Sequence, residues 1–347
     1  MNKAASSGLY AGRLRLDLGL RNRRYAHGRA HVESYGNPPV IVYAPEDGRH
    51  GNFHDAAYAA IAARPEWMRQ FDKVHAQARR SLPDAARRWR ELDSSMSSDA
   101  LLMNVFCTPG VVESADVRNA LGIESDAAPV FGWKARVPLA AGRFDRTEVD
   151  MRLGTLLVEA KLTEGDFQTR EAGIVEAYRD FDKVFARELL PRVELGPKRR
   201  KEPGEFPENY SQEFESEIDM AESGAGIPPR FEIQDKSLIS AHDSETNKIR
   251  ESGYASYQLI RNVLAAYAEE CSFCVLHDQR RPDLREEWFL VMAAVKSAAV
   301  RTRLKVLTWQ ELAAFLPDKL QEFLDLKYGI VAPGKTPSPL EGATDFD

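Results

Sequence analysis

An α/β fold, in which helices flank a mixed central sheet, is the fold class that the sequence predicts. A strand is predicted at residues 130–139 and a charged β-hairpin follows at residues 147–162, so three strands come in succession. Two short apolar runs, residues 271–277 and 304–308, resemble buried strands and are preceded by helical stretches. Strands that are joined through helices form a sheet with helices on both faces, and we expect that arrangement here.

The composition is typical of a globular protein from a reducing compartment. Hydrophobic residues make up 43% of the 347 residues, which is enough for a sizeable core. No apolar run approaches the roughly 18 residues of a membrane span, and the N-terminus lacks the apolar stretch of a secretory signal. Three cysteines are too few for a disulfide framework. We therefore expect a cytoplasmic protein with no membrane partner.

The net charge of −6 conceals an uneven distribution of charge along the chain. Residues 202–245 contain twelve acidic and two basic residues, so the rest of the chain is net positive. Blocks of one charge sign often act as interaction tails. We predict that this acidic stretch belongs to an insertion and shields a basic surface until a binding partner displaces it.

The chain divides into five predicted segments. They are a basic, partly helical N-terminal region (1–94), the first part of the core (95–195), an acidic insertion or linker (196–246), the second part of the core (247–330) and a flexible tail (331–347). Residues 1–50, rich in Arg, Gly and His, are expected to be loosely ordered. Helices are predicted at residues 54–80 with a break at Pro65, from Ser97 or Ser98 to Phe106, and at 169–190, 247–270, 285–300 and 310–326.

The hairpin places two acidic residues opposite each other. A two-residue turn at Gly154-Thr155 puts Asp150 on the first strand across from Glu159 on the second. Strand residues alternate between faces, so Lys161 lies on the same side as both acids. Like charges in facing positions destabilise a sheet, and a divalent metal ion would compensate them. The apolar residues then share the opposite face: Val149, Met151, Leu153, Leu156, Val158, Ala160 and Leu162.

An exposed hairpin with ordinary ion pairs is the alternative. In that case Glu148 would pair with Lys161 across the strands, and Arg152 would lie near Asp150. Exposed pairs of this kind are common and contribute little to stability. A motif as short as Glu-x-Lys also occurs by chance, so the residues around it must decide.

The spacing in the hairpin resembles a known catalytic signature. Asp150, eight further residues and then Glu159-Ala160-Lys161 are similar to the motif of the PD-(D/E)XK nuclease superfamily, whose fold is called restriction-endonuclease-like. Val149 stands where a proline often precedes the acid. The resemblance covers residues 95–310 without the acidic insertion. Three stretches are also similar to a branch of bacterial restriction-endonuclease-like proteins: the helix from Ser97-Ser98 to Asn104-Val105-Phe106, the run Glu159-Ala160-Lys161-Leu162-Thr163-Glu164, and Tyr257-Gln258-Leu259-Ile260-Arg261.

Hydrolysis of a phosphodiester needs charge neutralisation at the phosphate and an activated water. Mg²⁺ takes one or two protein carboxylates and keeps several waters, and Asp150 and Glu159 would be those carboxylates. The resemblance adds the backbone carbonyl of Ala160 as a metal ligand. Lys161 would position or deprotonate the water, with its pKa lowered by burial and by neighbouring cations. The resemblance also implies that Gln258, on a predicted helix, orients Lys161 or contacts phosphate.

Further polar residues have an ordinary explanation beside the functional one. Gln258 shares a helix face with Arg261, and both could equally form the polar edge of a core helix. Acids from the first core helix sometimes join such sites in the superfamily, which makes Asp99 and Glu113 candidates. Stabilisation of a helix start by a negative charge explains Asp99 as well.

We therefore predict a Mg²⁺-dependent DNA endonuclease, with Mn²⁺ as a substitute metal and double-stranded DNA as the substrate. The resemblance implies a restriction or defence role. A homodimer is expected, because cutting both strands of a duplex commonly uses two active sites. The alternative is a catalytically inactive module of nuclease fold that binds DNA or another protein. The chain has no Walker A sequence, dinucleotide fingerprint or nucleophile elbow, so those chemistries are not indicated.

Overall fold

The computed structural model describes most of the predicted core. The described residues are 3–34, 38–73, 90–124, 127–195 and 252–339. The predicted acidic insertion, the start of the helix predicted at residues 247–270, and the last eight residues of the predicted tail lie outside them. None of the helices in these ranges is long and apolar enough to cross a membrane.

The helices and strands are numbered separately in chain order. The α-helices are α1 Lys3–Tyr25, α2 Asp55–Ala62, α3 Pro65–Met68, α4 Ser98–Phe106, α5 Ala115–Leu121, α6 Ala172–Val175, α7 Phe181–Val184, α8 Tyr257–Ala268, α9 Pro282–Ala294, α10 Ala298–Arg301, α11 Trp309–Ala313 and α12 Asp318–Tyr328. Single 3₁₀ turns lie at Arg69–Asp72, Glu91–Asp93 and Arg187–Leu189. The strands are β1 His31–Glu33, β2 Ile41–Tyr43, β3 Pro45–Glu46, β4 Arg49–His50, β5 Val130–Lys134, β6 Val137–Pro138, β7 Phe144–Asp145, β8 Glu148–Leu153, β9 Leu156–Ala160, β10 Arg170–Glu171, β11 Arg192–Glu194, β12 Ser252–Tyr254, β13 Ser272–His277 and β14 Leu304–Thr308.

A five-stranded mixed sheet forms the centre of the fold, in the order β14-β13-β9-β8-β5. Strands β5, β8 and β9 form an antiparallel meander. Strands β13 and β14 run parallel to β9 and to each other. Parallel neighbours need long crossover connections, and helix α8 before β13 and helices α9 and α10 before β14 supply them. The predicted α/β class with a mixed, helix-flanked sheet is confirmed.

Apolar side chains pack on both faces of this sheet. Along β13, Cys274 and Leu276 belong to one cluster of buried residues, which we call the first core cluster. Phe273 and Val275 belong to the other, the second core cluster. Helices α1, α2, α4, α11 and α12 contribute to the first cluster, and helices α8 and α9 contribute to the second. The sheet is therefore the middle layer of three.

The N-terminal residues are more ordered than the sequence predicts. Helix α1 runs from Lys3 to Tyr25, whereas we expected residues 1–50 to be loosely ordered. Its Leu14 and Leu18 are buried in the first core cluster. Glycines and charges weaken the intrinsic helix preference here, but packing of one face against the core supplies the stability that the local sequence lacks.

The single helix predicted at residues 169–190 is wrong. The segment forms β10, α6, α7 and a 3₁₀ turn instead. Its backbone pairs with distant residues: β10 pairs with β12, Tyr178 bridges to Leu139, and Phe185 bridges to Val295. A continuous helix would use those backbone groups internally, so tertiary pairing has overridden local preference.

The helix predicted at residues 247–270 is shorter than expected, because Ser252–Tyr254 form β12 and α8 begins only at Tyr257. Other elements lie closer to their predicted positions. Strand β14 covers the predicted residues, and the Ser97 side chain caps α4 by accepting a hydrogen bond from the Ala100 N–H. The predicted helix at 310–326 is divided into α11 and α12 before Pro317, which cannot continue a helix. The predicted helix at 285–300 is divided into α9 and α10.

Candidate active site

The hairpin has the register that its turn predicts. Met151 pairs with Val158 and Leu153 pairs with Leu156. One residue before Met151, the Asp150 carboxylate accepts a hydrogen bond from the Ala160 N–H at 2.7 Å. A side chain thus replaces the backbone pairing at this point.

The chain turns at Asp150 and breaks the predicted alternation of faces. Met151 and Leu153 lie in the first core cluster as expected, but Val149 lies in the second. On the neighbouring strand, Gly132 lies between the two residues that pair with Met151 and Val149, and it has a φ of 62°. A residue with a side chain rarely adopts that φ, so glycine allows both strands to turn beside the carboxylate.

Glu159 and Lys161 form a buried ion pair with 2.8 Å between Oε1 and Nζ. Glu159 is 1% exposed and Lys161 is 6% exposed. The ammonium lies 5.6 Å from the centroid of the Phe167 ring. A charged pair this deep in the fold is not the exposed hairpin of the alternative prediction.

The ion pairs of that alternative are also wrong. Glu148 pairs with Lys73, with 2.6 Å between Oε2 and Nζ, rather than with Lys161. Arg152 pairs with Glu269, with 3.3 Å between Nη1 and Oε2. Lys161 therefore has Glu159 as its partner.

A narrow cleft beside Asp150 contains a third carboxyl group. It is lined by Gln70, Lys73, Leu92, Asp99, Met103, Phe131, Gly132 and Asp150. Asp99 comes from the first turn of α4, where we considered it as a candidate acid. Glu113, the other candidate, is exposed and does not line this cleft.

Burial and neighbouring carboxylates raise the pKa values of Asp150 and Asp99. Burial, followed by the Glu159 and Asp99 carboxylates, raises the pKa of Asp150 well above its usual range. Burial and the Glu91 carboxylate raise the pKa of Asp99 to about 7. The neutral forms of these two carboxyl groups are therefore favoured as long as no cation offsets their charge, and a bound cation would lower both pKa values.

Lys161 titrates in the direction opposite to the one expected. Burial by itself lowers its pKa, but the Glu159 and Asp150 carboxylates together outweigh burial and raise it above the ordinary value. The prediction of a lowered pKa assumed neighbouring cations, whereas the neighbours are acids. In this arrangement Lys161 is an ammonium ion.

The donors around Asp150 suit a hard divalent cation such as Mg²⁺. Asp150 and Glu159 supply carboxylate oxygens. On β9, backbone groups of successive residues point to opposite neighbours, and the Lys161 N–H donates to the Leu276 carbonyl on β13. The N–H and carbonyl of one strand residue point the same way, so the Ala160 carbonyl lies on the Asp150 side with its N–H. In the described ranges, no group of three or more His, Cys, Asp and Glu residues forms a complete metal cage. Mg²⁺ needs few protein ligands because it keeps several waters.

Helix α8 passes over the site and contributes a residue that the sequence did not indicate. Asn262 donates from Nδ2 to Glu159 Oε2 at 2.7 Å. Gln258, the predicted residue, lies one turn earlier, and its backbone N–H donates to the Phe167 carbonyl at 3.0 Å. The buried Gln258 Oε1 has no hydrogen-bond partner among the described residues. The spacing of four between the two amides could have identified Asn262, since it places both on one helix face.

Two of the stretches that carry the family resemblance meet just beyond Lys161. Ser98, at the start of α4, donates to Glu164 Oε1 at 2.5 Å. The other oxygen of Glu164 accepts the Leu162 N–H at 2.7 Å. Glu164 therefore ties α4 to the turn after β9.

One protein family matches nearly the whole of this arrangement. A family model described as Restriction Endonuclease associating with ARP matches residues 20–329. The chain belongs to this family. The match begins at residue 20, in α1, and so includes N-terminal residues that lie outside the stretch, 95–310, over which the sequence resembles the nuclease superfamily. No curated protein and no solved structure matched the chain. Membership of this family supports a nuclease-like role for the chain.

Proposed function

We propose that this chain is a Mg²⁺-dependent endonuclease that hydrolyses phosphodiester bonds of double-stranded DNA in restriction or defence. The observation that carries this proposal is the buried Glu159–Lys161 ion pair beside Asp150. A restriction endonuclease family model that matches residues 20–329 supports the same class of activity and substrate.

Asp150 and Glu159 would hold the metal through their carboxylates, with the Ala160 carbonyl as a further ligand. When bound, Mg²⁺ would neutralise the carboxylates, polarise the phosphate and acidify a bound water. Mn²⁺ accepts similar oxygen ligands and is expected to substitute. Asn262 holds one oxygen of Glu159 and so restricts the direction in which that carboxylate points.

Lys161 would act as a cation rather than as a base. Because the surrounding carboxylates raise its pKa, its ammonium group would stabilise negative charge on the phosphate and orient the attacking water. Gln258 would assist from α8, one turn before Asn262, where its buried Oε1 has no hydrogen-bond partner among the described residues. Its role is to orient Lys161 or to contact a phosphate.

The direct test is cleavage of plasmid DNA in Mg²⁺ by wild type, Asp150→Ala and Lys161→Ala. We expect each substitution to reduce the rate by at least about a hundredfold. Arg152→Ala is the matched control, because Arg152 lies on the same strand as Asp150 but pairs with Glu269. Undiminished cleavage by both site variants would overturn the assignment.

Metal binding distinguishes the inactive-module alternative. Calorimetry should show binding of Mg²⁺ or Mn²⁺ that is lost in Asp150→Ala and Glu159→Gln. If wild type neither cleaves DNA nor binds metal through these residues, the fold serves as a binding module.

Assembly is a further part of the proposal. Two copies would act together, because each active site cuts one strand of a duplex. The family description names association with ARP, and we propose that this chain works with such a partner. Sedimentation velocity of the chain with and without duplex DNA tests the dimer, and a monomer under both conditions would contradict it.

A further inference from the structure

The chain leaves β9 at Lys161 and enters a turn whose backbone carbonyls are bound by distant side chains. Five consecutive carbonyls accept such hydrogen bonds: Lys161 from Trp309 (3.1 Å), Leu162 from Arg281 (3.4 Å), Thr163 from Arg15 (2.7 Å), Glu164 from Arg281 (2.6 Å) and Gly165 from Arg281 (3.1 Å). The donors come from α1, from the residue before α9 and from the start of α11. We call residues 161–165 the post-strand turn. Elements far apart in sequence therefore hold it.

Arg281 is the main donor to this turn. Its side chain is fully buried, at 0% exposure, although arginine is seldom found there unless paired. Nε and one terminal nitrogen bind the Asp283 carboxylate at 3.0 and 2.8 Å, which fixes the plane of the guanidinium group. The remaining N–H groups point at the carbonyls of the post-strand turn. A planar fork of five donors can serve a carboxylate and several carbonyls at once, whereas a lysine ammonium cannot.

The position of this turn links it to the chemistry of the site. Lys161 is both the first residue of the turn and the partner of Glu159. A shift of about 1 Å in a catalytic group can reduce a rate by about a hundredfold. The backbone on the C-terminal side of Lys161 must therefore be held as firmly as the strand on its N-terminal side.

We propose that Arg281 is a positioning residue for Lys161, holding the post-strand turn so that the ammonium stays against Glu159. Arg281 touches neither substrate nor metal in this role. The role rests on the nuclease function proposed above, but the holding of the turn can be measured without any cleavage. Arg15 and Trp309 assist from the two neighbouring elements.

Arg280 provides a matched control. It is the adjacent arginine and is also engaged in ion pairs, with Asp278 at 2.6 Å and with Asp17 at 2.7 Å. Its remaining hydrogen bond goes to the Tyr328 carbonyl and not to the post-strand turn. Arg280→Lys therefore perturbs a comparable network without releasing the turn.

The first experiment compares Arg281→Lys with Arg280→Lys in plasmid cleavage. We expect Arg281→Lys to lower kcat by about tenfold to a hundredfold while KM for DNA changes by less than about twofold. Arg280→Lys should leave kcat within about twofold of wild type. An equal loss of kcat in both variants would overturn the proposal, since it would show a general structural effect.

The second experiment measures amide hydrogen exchange and needs no activity. Arg281→Lys should speed exchange of peptides that cover residues 161–166 and leave those covering α8 unchanged. If wild type proves inactive but Arg281→Lys still exchanges faster than wild type at residues 161–166, the turn-holding role is supported and the nuclease function is not. Unchanged exchange there, with wild-type kcat, would overturn the role while the nuclease function stood.

If Arg281→Lys does not fold, Arg15→Ala provides a second test of whether these side chains hold the post-strand turn. Arg15 is exposed on α1, so Arg15→Ala should fold normally while it loses the hydrogen bond to the Thr163 carbonyl. We expect a severalfold lower kcat and faster exchange at residues 161–166. Arg13→Ala, on the exposed side of α1, is its control. The same rates in Arg15→Ala and Arg13→Ala would overturn the proposal.

Discussion

Asn262 on α8 donates a hydrogen bond to Glu159 on β9, with 2.7 Å between Nδ2 and Oε2. Both residues are buried, and the other oxygen of Glu159 is occupied by Lys161. The carboxylate that we propose as a metal ligand is thus oriented from two sides before any metal binds. Such preorganisation reduces what a cation must rearrange on binding.

Asn262→Ala should weaken metal binding. The substitution removes the donor to Glu159 Oε2 and lets the carboxylate rotate, so we expect about a 10–100-fold loss of Mg²⁺ or Mn²⁺ affinity. Isothermal titration calorimetry measures it. Tyr267→Phe, at the far end of α8, is the control and should bind metal as wild type does. Equal affinities in all three proteins would show that Asn262 has no role in the metal site.

Asp99→Asn should stabilise the metal-free protein at alkaline pH. The pKa of Asp99 is raised from 3.8 to about 7, so the folded state holds a proton that the unfolded state has lost. The stability gained from that proton is present below about pH 3.8 and is lost as pH rises through about 7. Because asparagine stays neutral, the variant should exceed wild type in free energy of unfolding at pH 8.

Urea unfolding of both proteins from pH 5 to pH 8 checks this difference. The gap between wild type and Asp99→Asn should widen with pH. Asp116→Asn, at the start of α5, is the control and should show no widening. A constant gap would contradict the raised pKa.

Lys327→Met should stabilise the protein at neutral pH. Lys327 is 0% exposed, and its Nζ has no hydrogen-bond partner among the described residues. Burial, and then the Arg29 charge, lower its pKa well below 10.5. The unfolded chain therefore holds a proton that the folded chain does not, and wild-type stability should rise with pH up to about 10.5.

Methionine has no charge to desolvate, so the free energy of unfolding of Lys327→Met at pH 7 should exceed that of wild type by about 1–3 kcal/mol. The increase of stability with pH that is expected for wild type should be absent in the variant. Thermal and urea unfolding from pH 7 to pH 10 provide the measurement. Lys319→Met, exposed on the same helix α12, should keep the wild-type dependence. A destabilised Lys327→Met with unchanged pH dependence would show that the lysine is charged in the fold.

Removal of residues 202–245 should tighten DNA binding. This stretch lies outside the described residues, and its charge alone carries the prediction, since it contains twelve acidic and two basic residues. Its deletion leaves a net positive chain, which should raise DNA affinity and steepen the fall of affinity with salt. Fluorescence anisotropy at several salt concentrations tests this. An unchanged salt slope would show that the stretch is only a linker.

The features that the sequence predicted correctly depend on neighbouring residues. The hairpin register follows from the two-residue turn at Gly154-Thr155, although the alternation of faces fails at Asp150. The Ser97 cap of α4 is equally local, because the donor is only three residues away. Each of these can be derived from a short window of sequence.

The incorrect predictions concern segments and charges whose partners are distant in the chain. Residues 169–190 do not form the predicted helix, because their backbone pairs with β12, Leu139 and Val295. The pKa of Lys161 was assigned the wrong direction because its neighbours in space are carboxylates rather than cations. Neither outcome is encoded in the spacing of nearby residues.

The amino-acid sequence by itself determined the class of fold and the register of the hairpin that carries the motif of Asp150, Glu159 and Lys161, because apolar patterning and turn geometry act over a few residues. Only the tertiary structure decided what surrounds that motif. Asn262 reaches Glu159 from a helix 103 positions along the chain, and Arg281 reaches the Glu164 carbonyl from 117 positions away. Such contacts arise when separate elements pack on one sheet and their buried polar groups must find partners.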